Sequence, residues 1–173
     1  YIKEKKPDIK VAVLTNSSLF SDPAVRKALL KADLVVPSLD AASKKGFARI
    51  NRSNKGLEVN KLVKGIETFA KEYQGRLWLE VFILPKINDG KSDLLKLKDA
   101  IKKINPDLVQ INTLDRPGTL LDIKPASRSE LEKVVHTIGF HNIEIIANVD
   151  SQIKAGIQRK DVKAAIIETI HRR

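Results

Sequence analysis

Five short runs of aliphatic and β-branched residues alternate along this chain with amphipathic stretches of helical period. Few architectures accommodate that alternation. The runs lie at about Ile9–Asn16, Asp33–Leu39, Arg76–Leu84, Asp107–Thr113 and Ile143–Ala147. Between them the pattern predicts helices near Asp22–Lys31, Leu57–Tyr73, Lys91–Ile104 and Ser127–Ile138. Strand, helix, strand in repetition builds right-handed βαβ units and a parallel sheet. The helix ends carry their own signals. Asp22-Pro23 offers an N-cap followed by proline at the first helical position. Ser127-Arg128-Ser129-Glu130 reads as a capping box, and Gly139 suits a helix C-cap. After Gly56, the residues Val59, Leu62, Val63, Ile66, Phe69 and Ala70 fall on one stripe.

Both faces of a parallel sheet are usually covered, so its strands read as continuous apolar runs. Four of the runs depart from this near their ends. Asn16 closes the first, Ser38 and Asp40 close the second, Glu80 interrupts the third, and Gln110 and Asn112 lie late in the fourth. A polar group placed there loses its water and must find a partner or a ligand. The C-terminal ends of strands are also where α/β folds bind ligands. Alternation sorts the faces. Leu77, Leu79, Val81 and Ile83 share the face expected to meet the helices, whereas Trp78, Glu80, Phe82 and Leu84 share the other. Leu34, Val36, Ser38 and Asp40 lie together, as do Leu108, Gln110, Asn112 and Leu114. A curved sheet with helices outside and these polar faces inside accounts for the pattern. The fold class expected is therefore α/β, a parallel partial (β/α) barrel. The plainer account of each polar residue is structural, with Glu80 paired to a lysine and the amides satisfying backbone groups. Recurrence at four strand ends favours a shared site.

Composition removes several chemistries. The 173 residues, 42% hydrophobic, suit one domain with a real core. Cysteine is absent, which excludes disulfides, thiolate metal sites and any iron–sulfur cluster held by this chain alone. His136, His141 and His171 are scattered, and no His/Asp/Glu cluster has metal-ligand spacing. There is no G-x-G-x-x-G and no phosphate-binding loop motif. Ile87-Asn88-Asp89-Gly90 is a turn by composition, expected at the mouth of the site. No apolar run approaches the roughly 18 residues of a membrane span, and a cytoplasmic location is expected. The net charge is +11, but the basic residues are interleaved with acids, as along Lys91–Asp99, so solvation of helix faces explains them better than a polyanion surface. The chain starts at Tyr1 and contains no methionine, and Asp161–Arg173 reads as an amphipathic helix with no C-cap. The expectation is a piece of a longer polypeptide, with residues 1–150 as the partial barrel and 151–173 as a C-terminal extension.

Five segments, taken in order and spacing, resemble radical S-adenosylmethionine enzymes. They are Thr15-Asn16, Pro37-Ser38-Leu39-Asp40-Ala41, the stretch Phe47–Arg52, the run Leu77–Gly90, and Asn112–Gly118. The likeness is to the iron–sulfur oxidoreductase branch near the wyosine-synthesis enzymes and the glycyl-radical activases, over about residues 9–120. The resemblance implies a six-stranded partial barrel of which this chain supplies strands three to six. It implies S-adenosylmethionine and a [4Fe–4S] cluster as cofactors of the intact protein, an external electron donor, and cleavage of the cofactor to a 5′-deoxyadenosyl radical. The cluster loop C-x-x-x-C-x-x-C and the G-G-E-P-like turn of the family are not in this sequence, so the chain alone is expected to be inactive. By the same resemblance Asn16, Ser38, Asp40, Glu80 and Asn112 are cofactor-binding positions, with Ser17 replacing the usual glycine after Asn16. The last helix resembles the start of a winged-helix module.

Two other functions fit the residues. One is a basic α/β module that binds nucleic acid, RNA being a substrate that the wyosine-related likeness suggests and a protein being the other. Lysines would then converge near the Asn88–Gly90 and Arg116–Gly118 loops, with Arg116 as a substrate-binding residue gripping a phosphate. The competing role for Arg116 is a pairing with Asp115 or Asp122. The other is a different barrel enzyme using Asp40 and Glu80 as acid and base.

Overall fold

A computed structural model describes residues 1–51, 56–115 and 123–147. The elements run in the order α1 (Ile2–Lys5), β1 (Ala12–Thr15), α2 (Pro23–Leu29), β2 (Leu34–Pro37), α3 (Lys44–Asn51), α4 (Val59–Glu72), β3 (Arg76–Phe82), α5 (Lys91–Ile104), β4 (Leu108–Asn112), α6 (Arg128–Ile138) and β5 (Ile143–Ile145). The five strands lie side by side in chain order, and every pairing is parallel. The result is an open α/β sheet, an arc of an incomplete barrel. It holds five strands where the resemblance implied four.

Each strand falls inside its predicted run, and α2, α4, α5 and α6 end within two residues of the predicted limits. The cap signals hold. Asp22 accepts from the Ala24 N–H with Pro23 at the first position, and the Ser127–Glu130 capping box is formed in both directions. Gly139 takes the left-handed conformation at the end of α6, with φ of 58°. The helix α3 was not anticipated. Gly46 lowers its propensity, and its eight residues are too few to display a helical period.

A device repeated at the strand starts also escaped prediction. Asp33 and Asp107 each stand one residue ahead of a strand and are followed by Leu-Val. Asp33 accepts from the Val11 N–H at 2.7 Å, and Asp107 accepts from the Leu77 N–H at 2.7 Å. Each carboxylate therefore closes an N–H at the start of the neighbouring strand. Asp33 also pairs with Lys3 and Lys10, and the Lys3 contact holds its carboxyl at about 2.

Val35, Leu77, Leu79, Val81, Ile83, Val109 and Ile111 point outward and are buried beneath Leu62, Ile66 and Phe69 of α4, Leu97 and Ile101 of α5, and Leu131 and Ile138 of α6. The other face is less covered, and β1 forms an edge on which Leu14 is 73% exposed. No helix among the described residues is long and apolar enough to cross a membrane. The extension at 151–173 and its helix lie outside the described residues.

Gly65 sets how closely α4 approaches the chain after β1. A Cβ there would sit 2.5 Å from the Phe20 carbonyl carbon and oxygen, and Phe20 packs edge-on against Phe69 at 5.2 Å. Alanine normally gains about 1 kcal/mol over glycine in a helix. Here Gly65→Ala is expected to reduce stability by about 1–3 kcal/mol, because backbone must move. Urea unfolding followed by circular dichroism measures it, and equal or higher stability would refute the close approach.

Candidate functional site

The register stacks the inward side chains in layers that grow more polar toward the C-terminal ends. Leu14 lies opposite Val36, and Trp78 opposite Leu108. One layer further, Ser38 bridges to Glu80, Glu80 lies opposite Gln110, and Gln110 opposite Glu144. Phe82 and Asn112 follow.

Glu80 is the centre of this polar row. One carboxylate oxygen accepts from Asn112 Nδ2 at 3.1 Å, and the other accepts from Ser38 Oγ at 3.4 Å. Gln110 Nε2 donates to Glu144 at 2.8 Å and extends the row to β5. Asp40 stands beyond Ser38. Its Oδ1 accepts from the Phe82 N–H at 2.9 Å, and its Oδ2 accepts from Asn51 Nδ2 at 3.4 Å. Burial lifts the Asp40 carboxyl to about 6, the Phe82 N–H opposes that rise, the negative charge of Glu80 adds to it, and Asn51 opposes it.

The loops around the row are held by side chains. Asp93, in the first turn of α5, accepts from Ser43 Oγ at 2.6 Å and pairs with Arg49, while Ser43 Oγ accepts from the Gly46 N–H at 2.8 Å. This ties α3 to α5 and keeps Asn51 against Asp40. Asn88 is 1% exposed and bonds to the backbone of Asp40, Phe82 and Leu84. Ser17 has φ of 66°, the left-handed region that favours glycine, and its Oγ donates to the Ser38 carbonyl at 2.8 Å. The serine at this glycine-like position thus links the ends of β1 and β2.

Of the residues singled out in the sequence, Ser38 and Asn112 both meet Glu80, and Asp40 lies within electrostatic reach of Glu80. Asn16 does not join them. It is exposed, and its Oδ1 closes its own turn by accepting from the Ser18 N–H at 3.1 Å. Arg116 and the Arg116–Gly118 loop lie outside the described residues. Asn51, Asn88 and Glu144 were missed. Asn88 was read only as part of the turn at the mouth of the site, because turn chemistry already accounts for an asparagine there, and Glu144 reads as the ordinary polar member of Ile-Glu-Ile. Among the described residues, no three His, Cys, Asp or Glu side chains gather as a metal site.

This fold is that of the radical S-adenosylmethionine enzymes, in part. A radical SAM methyltransferase from Sphaerobacter thermophilus superposes with a TM-score of 0.68 at 14% identity, over 86% of this chain and 45% of that one. A domain of pyruvate-formate lyase-activating enzyme from Bacteroides vulgatus gives 0.64 at 10% identity, over 82% and 83%. Streptococcus suis SuiB, bound to its precursor peptide SuiA, gives 0.56 at 17% identity, over 79% and 32%. No family model matches the chain. In sequence it is 40% identical over 126 residues to GTPase Obg of Brachyspira hyodysenteriae, 73% of this chain and 18% of that protein. It is 38% identical over 118 residues to a UPF0026 protein of Helicobacter pylori, 68% and 38%, and 31% identical over 147 residues to one of Methanocaldococcus jannaschii, 83% and 46%. The chain thus spans less than half the length of these curated relatives.

The raised Asp40 value has a thermodynamic consequence. A carboxyl at about 6 in the folded chain, against an ordinary 3.8, binds its proton more tightly folded than unfolded. Its contribution is therefore most favourable when protonated and is lost as pH rises from about 4 through about 6. Asp40→Asn removes this titration. Relative to that variant, the wild type is expected to lose about 2 kcal/mol of stability between roughly pH 4 and pH 7. Unfolding midpoints across that range test it, and parallel curves for the two proteins would show that Asp40 titrates normally.

Proposed function

We propose that this chain forms the cofactor- and substrate-positioning arc of a radical S-adenosylmethionine enzyme whose cluster cysteines come from outside the chain. The observation that carries the reading is the row Ser38, Glu80 and Asn112, with Asp40 beside it, at the C-terminal ends of parallel strands in this fold. The iron–sulfur cluster does not fit this chain, which contains no cysteine to hold it. S-adenosylmethionine does fit the donor set. Each Glu80 oxygen accepts one hydrogen bond in the structure and can take another, so the carboxylate is ready for a ribose hydroxyl. Asp40 and Ser38 add acceptors beside it, and Asn112 adds an amide. When bound, the cofactor supplies homolytic chemistry at a substrate C–H bond. The residues of this chain bind and orient it above the apolar layer of Val36, Trp78 and Leu108. The chain by itself is inactive on this reading.

This sequence does not form the phosphate-binding loop of a GTPase. Gly90-Lys91-Ser92 has the end of a phosphate-binding loop, but Pro85 stands where the first glycine is required.

Calorimetry on the intact polypeptide, with its cluster reconstituted anaerobically, tests the assignment. Asp40→Ala and Glu80→Ala are each expected to weaken S-adenosylmethionine binding by about 1–3 kcal/mol, the scale of a lost hydrogen bond to a charged or buried partner. Unchanged affinity in both variants would remove the row from the cofactor site.

One observation favours a second reading. A carboxyl at about 6 is poised to exchange protons near neutral pH, so Asp40 also suits an acid–base role in a barrel enzyme without a radical cofactor. In that case the intact protein fails to bind S-adenosylmethionine at all.

A further inference from the structure

We propose that Asn88 is a positioning residue whose buried amide ties the Asp40 backbone to that of Phe82 and Leu84 and so sets the position of the Asp40 carboxylate at the strand ends. The relevance to catalysis rests on the cofactor reading above, whereas the positioning stands on geometry alone. Asn88 Nδ2 donates to the Asp40 carbonyl at 2.8 Å and to the Phe82 carbonyl at 2.7 Å, and Oδ1 accepts from the Leu84 N–H at 2.8 Å. Both donors and the acceptor are used, and the partners fix the amide orientation, because a flipped amide would face N–H with N–H and oxygen with two oxygens.

A turn alone does not need this. The bond to Leu84 is local, but the bond to Asp40 crosses 48 residues and joins the β3–α5 loop to the end of β2. The Asp40 carboxylate in turn accepts from the Phe82 N–H. Residue 82 is thus held twice, by its carbonyl to Asn88 and by its N–H to Asp40, and the two links share the Asp40 backbone. Among side chains, only asparagine and glutamine offer two N–H donors and a carbonyl acceptor, and glutamine is too long for a residue 1% exposed. Among the described residues, the charged group that faces Asp40 is Glu80 of β3, while α3 contributes neutral Asn51 and the β3–α5 loop contributes Asn88 itself. Removing a side chain that is 1% exposed leaves a void beside the Asp40 backbone, through which water is expected to reach the carboxylate and relieve its burial.

The test follows the Asp40 side-chain carbon by NMR across the pH range. In Asn88→Ala the proton affinity of Asp40 is expected to fall at least about tenfold, one pKa unit. Leu131→Ala, destabilising where α6 packs against α5 and β5, should leave it unmoved, which separates positioning from general loss of stability. A midpoint that is unchanged or raised in Asn88→Ala overturns the inference. Should that variant fail to fold, Asn88→Ser and the unmodified protein decide it. Scalar couplings from Asn88 Nδ2 to the Asp40 and Phe82 carbonyl carbons support the clamp, and their absence overturns it. In the cluster-loaded polypeptide, the Asn88→Ala and Asp40→Ala effects on S-adenosylmethionine affinity are expected not to add, since both act through one carboxylate. An Asp40 midpoint that moves while cofactor affinity stays constant leaves Asn88 as the positioning residue and removes the cofactor reading.

Discussion

Every connection between neighbouring strands in this sheet is a parallel crossover, and parallel crossovers turn right-handed. Because the strand order follows the chain, each crossover places its helix on the same side. That single constraint divides the molecule. One face of the sheet is sealed by α4, α5 and α6, and the other is left for side chains to line. Leu79, Val81, Val109 and Ile111 are 0% exposed on the sealed face, while Glu80, Gln110 and Asn112 on the same strands occupy the lined one. The polar row lies on the face that α4, α5 and α6 leave uncovered.

The lined face is held together by polar side chains, and their arrangement carries a thermodynamic cost. Glu80 is satisfied by Asn112 and Ser38, so its charge has partners. Asp40 is held against the Phe82 N–H yet remains harder to ionise than a free carboxyl, because burial and Glu80 outweigh its hydrogen bonds. A chain selected for stability alone would not keep two carboxylates this near one another. A carboxyl raised by burial beside a second carboxylate is the physical basis of the site proposed above.

Sequence likeness and fold likeness point to different protein names, and the lengths explain how both can hold. The solved structures share the arc at 10–17% identity, whereas the relatives at 31–40% identity extend well beyond the matched region. Function resides in sites placed on folds. For this chain the proposed site is the strand-end row, and the residues that form it bear on chemistry more directly than either set of names.

The amino-acid sequence by itself determined the elements and their faces. The period-two alternation of Leu77–Ile83, the Asp22 and Ser127 caps and the Gly139 stop are local signals, and local signals survive without knowledge of what lies across the sheet. It also placed Ser38, Asp40, Glu80 and Asn112 at strand ends, because a polar residue in an apolar run is visible at once. Only the tertiary structure decided which of these meet. Asn16 turned back on its own loop, while Asn51 of α3 and Asn88 of the β3–α5 loop joined Asp40. Those partners lie 11 and 48 residues from Asp40, and a hydrogen bond across that separation leaves no period in the sequence. The protonation of Asp40 belongs to the same class, since burial depends on what the folded chain packs around it and not on the residue itself.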